Sequence, residues 1–288
     1  MTDRRLKYLL LFPALLGLAA VTFYPTFFLL KSCFYRIDLA GNQGRFVGLA
    51  HFIRLFQDPL LGKAVLNTGI LTVSSVGLEL LLGLALALAV HHAAGLKGGL
   101  RTAFLLPMVI SPIVVAVAFR LLYDTSFGVV NGFLSYFHVP LIPWLSSPRL
   151  ALGSLVLVDL WEWTPFVFLI LLAGLASIPH EPYEAAEIDG ANAWQQFRDI
   201  TLPLLRPALL VAVLLRSMDC LRLFDSVYIL TRGGPGNSTE TISYFIYRTA
   251  FENFDLGYAS AISFVVLALT LGASRLFIRG LTPTGAKP

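Results

Sequence analysis

Glu184-Ala185-Ala186-Glu187-Ile188-Asp189-Gly190-Ala191, running on through Phe197, Ile200 and Leu202-Pro203 to Pro207, is a polar island in the back half of a very apolar chain. The spacing predicts two short helices around a turn. Pro182 suits a first-turn position, and Glu181, Glu184 and Glu187 put negative charge near a helix N-terminus, where the dipole favours it. Asp189-Gly190 ends that helix, because glycine tolerates the left-handed conformation of a helix end. Asn192 can cap the next helix, on which Trp194, Phe197 and Ile200 recur at helical spacing. Ala185 and Ala186 leave room for another surface to approach closely. Taken as a charge run alone, the stretch is an acidic, solvated hairpin that links two apolar segments.

Outward from this island the composition sets the class. Of 288 residues 57% are hydrophobic and 13% charged, and the mean hydropathy is +0.76. Soluble domains carry about a quarter charged residues, so this is a polytopic membrane protein. Cys33 and Cys220 stand far apart, in no metal or redox spacing, and imply no disulfide framework. A helix needs about 20 apolar residues to cross a bilayer. Six segments qualify, near 8–30, 69–90, 103–123, 152–176, 204–230 and 258–279. The expected fold is all-α, one transmembrane domain over 1–288. The first segment follows Arg4, Arg5 and Lys7, as a signal peptide would. Its apolar run is too long, it contains Pro13 and Pro25, and no small-x-small site follows, so it is expected to be a retained span. Prolines in the third (Pro107, Pro112) and fourth (Pro165) segments predict further kinks, which lipid-embedded bundles tolerate.

The island's pattern resembles the EAA loop of ATP-binding-cassette importer permeases: Glu-Ala-Ala, three residues, Gly, nine residues, then Ile-x-Leu-Pro. Glu184, Ala185, Ala186, Gly190, Ile200, Leu202 and Pro203 fill those positions, with Asp189, Ala191 and Phe197 between them. The resemblance implies a six-helix type I importer permease whose loop, 181–203, is cytoplasmic and docks into a cleft on an ATPase subunit. It implies no cofactor on this chain, ATP and Mg being held by the partner ATPase. The implied partners are a homologous second permease, two ATP-binding subunits, a periplasmic or lipid-anchored solute-binding protein and the lipid bilayer, with no nucleic acid. A homodimer of this chain is the variant reading. The implied location is a bacterial or archaeal plasma (inner) membrane, with both termini cytoplasmic. Positive charge agrees softly: ten Lys or Arg fall in the cytoplasmic parts (Arg4, Arg5, Lys7, Lys97, Arg101, Arg198, Arg206, Arg275, Arg279, Lys287) against eight outside, five of them in the long loop 31–68.

The outer loops carry structure of their own. Residues Leu60 to Leu66 are expected to form a short helix at the interface. Phe127, Tyr136, Phe137 and Trp144 suit either a headgroup belt or a protein-docking surface. The run from Thr231 to Glu240 breaks the helix sharply, and Tyr244, Tyr247 and Phe251 then recur at helical spacing. Gly233-Gly234-Pro235-Gly236-Asn237-Ser238-Thr239-Glu240-Thr241 and Phe254-Asp255-Leu256-Gly257-Tyr258-Ala259 are similar to the periplasmic segment of carbohydrate-importer permeases, of the maltose and glycerol-phosphate type. That branch moves sugars, polyols and their relatives.

Motifs for chemistry are missing. Gly62-Lys63 lacks the upstream glycine of a phosphate loop, and His180-Glu181 is not followed by the second histidine of a zinc hydrolase. His91-His92 can ligate metal or be a solvated pair at a helix end. The chain is therefore expected not to hydrolyse ATP. Ionisable residues inside spans are the better guide, since each is costly in hydrocarbon and faces a cavity or a partner. They are Glu79, Arg120, Asp159, Glu162, Arg216, Asp219, Arg222 and Asp225. Glu79 and Arg216 fall near the midplane and the others in the outer half, so four spans bring polar groups to overlapping depths. Trp161 and Trp163 flank Glu162, and an indole face packs on the C–H face of a sugar while a carboxylate accepts from hydroxyls. The proposed pathway set is Glu79, Arg120, Asp159, Trp161, Glu162, Trp163, Asp219, Arg222 and Asp225. Against it stand internal ion pairs Asp219–Arg222 and Arg222–Asp225 at i,i+3, an interfacial anchoring role for Glu162, and a bridge from Glu79 to a neighbouring span. A cavity with no spare positive charge fits a neutral sugar or polyol. A secondary transporter or channel working without an ATPase is the alternative from another class.

Overall fold

The computed structural model describes residues 3–38, 42–92 and 98–281; Lys97 and Lys287 lie outside them, and of Arg4, Arg5, Lys7, His92, Arg101 and Arg279 only the backbone is described. The elements run α1 (Asp3–Ser32), β1 (Tyr35–Asp38), β2 (Asn42–Phe46), α2 (Ala50–Leu55), α3 (Pro59–His92), α4 (Gly98–Val109), α5 (Pro112–Leu122), α6 (Val129–Ser135), α7 (Ala151–Ala176), α8 (Glu181–Ile188) and α9 (Ala193–Gln196). A π-helical turn (Phe197–Thr201) leads into α10 (Leu202–Cys220). Then come α11 (Asp225–Leu230), α12 (Ile242–Tyr247), a second π-helical turn (Arg248–Glu252) and α13 (Leu256–Leu281). Among the described residues five helical stretches are long and apolar enough to cross a membrane: Leu11–Ser32, Pro59–His91, Ala151–Ala176, Ala193–Cys220 and Leu256–Arg275. The chain groups into two compact units, Met1–Pro59 with Phe245–Gly272, and Leu60–Tyr244 with Ala273–Pro288.

In the first unit, α1 exposes large apolar side chains on every side, Leu11, Phe12, Leu15 and Leu18 as much as Val21 and Phe23, which suits a helix bathed in lipid. Behind it, β1 and β2 pair antiparallel, with Tyr35 opposite Phe46 and Arg36 opposite Arg45. The Phe254–Ala259 motif clamps this hairpin and α2 to the start of α13. The Asp255 carboxylate accepts from the Tyr258 backbone N–H and pairs with Arg54 at 2.7 Å, while the Tyr258 hydroxyl donates to Asp58 at 3.0 Å. Gly257 is required by proximity: a Cβ there would run into the Tyr35 carbonyl oxygen and sit 2.8 Å from His51 Nε2.

In the second unit, α3, α7 and α10 build a core around Ala87, Val167, Phe168, Leu171, Leu175, Leu205 and Ala212. Small residues let these helices close up, a membrane packing habit. A Cβ on Gly83 would come within 2.9 Å of Val167, and one on Gly174 within 2.7 Å of Ala208.

Three expected boundaries are corrected. Leu60 to Leu66 is no separate interfacial helix but the first turns of α3, because no proline interrupts and Gly62 and Gly69 only weaken helix propensity. Its 34 residues span about 50 Å, well beyond the hydrocarbon layer. The 103–123 segment is two helices, because Pro112 removes an N–H and holds Ser111 extended at ψ 133°. The 204–230 segment stops at Cys220 and resumes as α11. The freed carbonyls of Leu221 and Leu223 are taken by the hydroxyls of Ser243 at 3.1 Å and Thr241 at 3.2 Å. α7, by contrast, continues through Pro165.

Candidate functional site

The acidic island forms an exposed hairpin. Glu181 and Glu184 occupy the first turn of α8, and Glu184, Ala185, Glu187 and Asp189 face solvent. The helix ends through paired bonds, Gly190 N–H to the Glu187 carbonyl at 3.1 Å and Ala191 N–H to the Ala186 carbonyl at 2.9 Å. Gly190 has φ +80°, the left-handed value such an ending demands. Asn192 and Gln195 then exchange side chain-to-backbone bonds at 2.8 and 3.0 Å, a full capping box. Ile188 (87% exposed) and Trp194 (65% exposed) stand out of the hairpin as apolar knobs.

The second arm is not short, as the sequence predicted. α9, the π-helical turn and α10 form one helical stretch from Ala193 to Cys220. The wider turn at Phe197–Thr201 accommodates Pro203, which cannot donate a backbone hydrogen bond. Ile200, Leu202 and Pro203 thus lie on the rod itself. The Tyr183 and Thr201 hydroxyls, 2.9 Å apart, tie α8 to it. Beneath the hairpin is a cleft of about 350 Å³ that His91, His180, Tyr183 and Thr201 help to line. Among the described residues no group of three His, Cys, Asp or Glu is placed to hold a metal.

Some 22 residues up the same rod, roughly 33 Å from Trp194 at helical rise, stands Arg216, 1% exposed. Its Nε and Nη2 reach the two Glu79 oxygens at 2.7 and 2.8 Å. Nη2 also meets Asp159 Oδ2 at 2.9 Å, and Nη1 meets Asp219 Oδ2 at 2.6 Å. The guanidinium lies over Trp163, 4.9 Å from the ring centre, and the Cys220 thiol donates to Asp159 at 3.6 Å. One cation thus joins α3, α7 and α10. Only the bidentate, rigid fork of arginine can serve so many carboxylate oxygens at once.

Of the pathway candidates, Glu79, Asp159, Trp163 and Asp219 converge on Arg216. Glu162, one turn beyond Asp159, is 2% exposed, and its Oε1 has no hydrogen-bond partner among the described residues. The rest lie apart. Trp161 sits on the other side of α7, packed on Phe119 at 5.3 Å and lining an apolar groove with Leu82, Leu86, Phe104 and Pro107. Arg120 is exposed and donates to the Ile229 carbonyl at 2.9 Å. Asp225 opens α11. The Asp219–Arg222 and Arg222–Asp225 pairs of the alternative reading do not form: the helix has ended at Cys220, so i,i+3 spacing no longer brings them together, and Arg222 donates to the Met218 carbonyl. Arg216 is the residue that sequence reasoning left out of the set. Its signal was a lone cation at the midplane, level with Glu79.

Comparison with known proteins places this architecture. Residues 79–280 match the family model described as binding-protein-dependent transport system inner membrane component. The sulfoquinovosyl glycerol transport system permease protein SmoG of Agrobacterium fabrum is 34% identical, over 96% of this chain and 90% of its own length. The trehalose transport system permease protein SugA of Mycobacterium tuberculosis is 36% identical, over 100% and 93%. A chain of a bacterial alginate ABC transporter, crystallised with an alginate pentasaccharide-bound periplasmic protein, superposes with a TM-score of 0.81 at 26% identity, covering 96% of this chain and 95% of that one. The chain, with its exposed hairpin and its long apolar helices, belongs to the inner membrane components of binding-protein-dependent transport systems.

Proposed function

We propose that this permease subunit imports a neutral sugar or polyol, forming half of the translocation pathway with a homologous permease. Two ATP-binding subunits, holding ATP and Mg, clamp the hairpins of both from the cytoplasm, and a periplasmic or lipid-anchored binding protein delivers the solute. The permease itself is not an enzyme. The observation that carries the reading is the unbroken rod Ala193–Cys220, which begins in the exposed hairpin and carries Arg216. ATPase closure displaces the hairpin, and the rod passes that displacement to Arg216. Through its ion pairs α3 and α7 follow, so the spans reorient around the solute as alternating access requires.

The carbohydrate class follows from the relatives, whose named solutes include acidic ones, and neutrality is argued from charge alone. SmoG and SugA are named for glycosides, and the alginate transporter was crystallised with a bound oligosaccharide on its periplasmic partner. Within the spans Arg216 is committed to three carboxylates. Arg120 and Arg222 are matched in number by Glu162 and Asp225, so an anion brought into low dielectric finds no net positive charge on this chain to compensate it. Uptake by the reconstituted complex, with a panel of neutral sugars, polyols and sugar phosphates, tests it. Saturable, ATP-dependent transport of neutral members is expected. Transport of an anionic solute alone would overturn the solute class.

A further inference from the structure

We propose that the hairpin β1–β2 and helix α2 form an interfacial foot that binds anionic lipid headgroups beside the end of α1. The proposal rests on α1 crossing the bilayer, for which it is long and apolar enough. The Leu11–Ser32 span ends one residue beyond Lys31, whose ammonium lies 5.9 Å from the Tyr35 ring centre. The hairpin therefore starts at the edge of the hydrocarbon layer. Its base folds back to that level, because the Val47 N–H bonds the Phe34 carbonyl at 2.9 Å and Phe46 packs on Tyr35 at 5.4 Å.

Two features of this surface are unfavourable in water and favourable at a lipid surface. First, Leu49, Ile53 and Phe56 recur at i, i+4 and i+7 across α2 and its flanks, and they are 61%, 59% and 93% exposed, beside Phe46 at 65%. The other side of α2 is spent on the interior, where His51 is buried and Phe52 packs between Phe34 and Phe264. Second, Arg36 and Arg45 stand directly opposite each other in the strand register, one residue outward from the Tyr35–Phe46 base and on the ribbon's other face. Like charges directly opposed across strands destabilise the pair. A phosphate between them reverses the sign. Among the described side chains the nearby carboxylates do not: Asp255 holds Arg54, and Asp58 holds the Tyr258 hydroxyl. Apolar and aromatic side chains at the height of the acyl boundary, with arginines just beyond, are the arrangement that binds anionic bilayers.

The test uses the assembled complex in nanodiscs of phosphatidylcholine, alone or with phosphatidylglycerol. Phe56→Cys can be labelled without removing Cys33 and Cys220, since both are buried. An environment-sensitive fluorophore at that position should be quenched at least twofold by lipids brominated on the acyl chain. Arg36→Gln with Arg45→Gln should lower co-purified phosphatidylglycerol at least twofold and leave uptake unchanged. A fluorophore indifferent to brominated lipid, whose emission shifts only when a solute-binding protein is added, would make this a protein-docking surface and overturn the proposal. Unchanged phosphatidylglycerol in the double variant would overturn the headgroup assignment.

Discussion

Arg216 and Glu79, 137 residues apart in the chain, form a bidentate ion pair at 2.7 and 2.8 Å with both side chains fully buried. Asp159 and Asp219 share the same guanidinium. Burying such charges is expensive, and a well-packed apolar cluster can be equally stable. What the ionic version supplies is a connection of fixed geometry among three helices, one of which leads to the hairpin.

Removing the cation should therefore cost far more than removing one anion. Arg216→Met leaves three carboxylates without their counter-charge, a loss of about 3–5 kcal/mol. Glu79→Gln keeps the shape and an acceptor, and should cost about 1–2 kcal/mol. Heating the purified complex and following the assembled fraction orders the two. Equal losses would mean that Arg216 is not the centre of the cluster.

Much of the hairpin was legible because its determinants are local. Gly190 at a helix end and Asn192 as the cap of the next helix each act within one turn of chain. The Arg216 cluster was not legible, because its partners come from helices 57 and 137 residues away and local spacing pointed to Arg222 instead. Trp161 and Trp163 show the same limit. Adjacent to Glu162 on either side in sequence, they fall on different sides of α7, and only tertiary packing tells which one meets the charges. The start of α3 was missed for a third reason: Lys63 and two glycines dilute the apolar signal without breaking the helix.

Gly190 tests the hairpin as a docking element. A Cβ there meets nothing within 4 Å, so only the φ of +80° opposes substitution. For the chain itself that strain is about 1–2 kcal/mol. Gly190→Val should thus reach the membrane at near-normal levels and yet lose co-purification of the ATPase and solute uptake. Wild-type assembly and uptake in this variant would sink the docking assignment.

Gly257 tests the first unit. Gly257→Ala drives a methyl group into the Tyr35 carbonyl and the His51 ring and should destabilise the junction by about 1–3 kcal/mol. Gly272→Ala, with nothing within 4 Å, is the control and should be silent. Limited proteolysis between residues 33 and 58 reads the difference. Equal resistance in both variants would show that the hairpin does not depend on this contact.

Glu162 separates solute contact from packing. Its carboxylate is buried, one turn from the Arg216 cluster, and Oε1 lacks a partner among the described residues, whereas Glu79 and Asp159 are fully engaged. A structural carboxylate at such depth would be expected to have taken a donor, because an unmet buried acceptor costs about 1–3 kcal/mol. A group waiting for a hydroxyl of the solute would be left open in the empty permease. Glu162→Gln retains size and a carbonyl acceptor but removes the charge. The complex should assemble with unchanged thermal stability, and the solute concentration for half-maximal uptake should rise roughly tenfold, the equivalent of one charge-assisted hydrogen bond. Uptake assays and heating curves on the same preparation make the comparison. If assembly and uptake fall together, Glu162 is a packing residue, and the solute must be read by the other wall of the pathway.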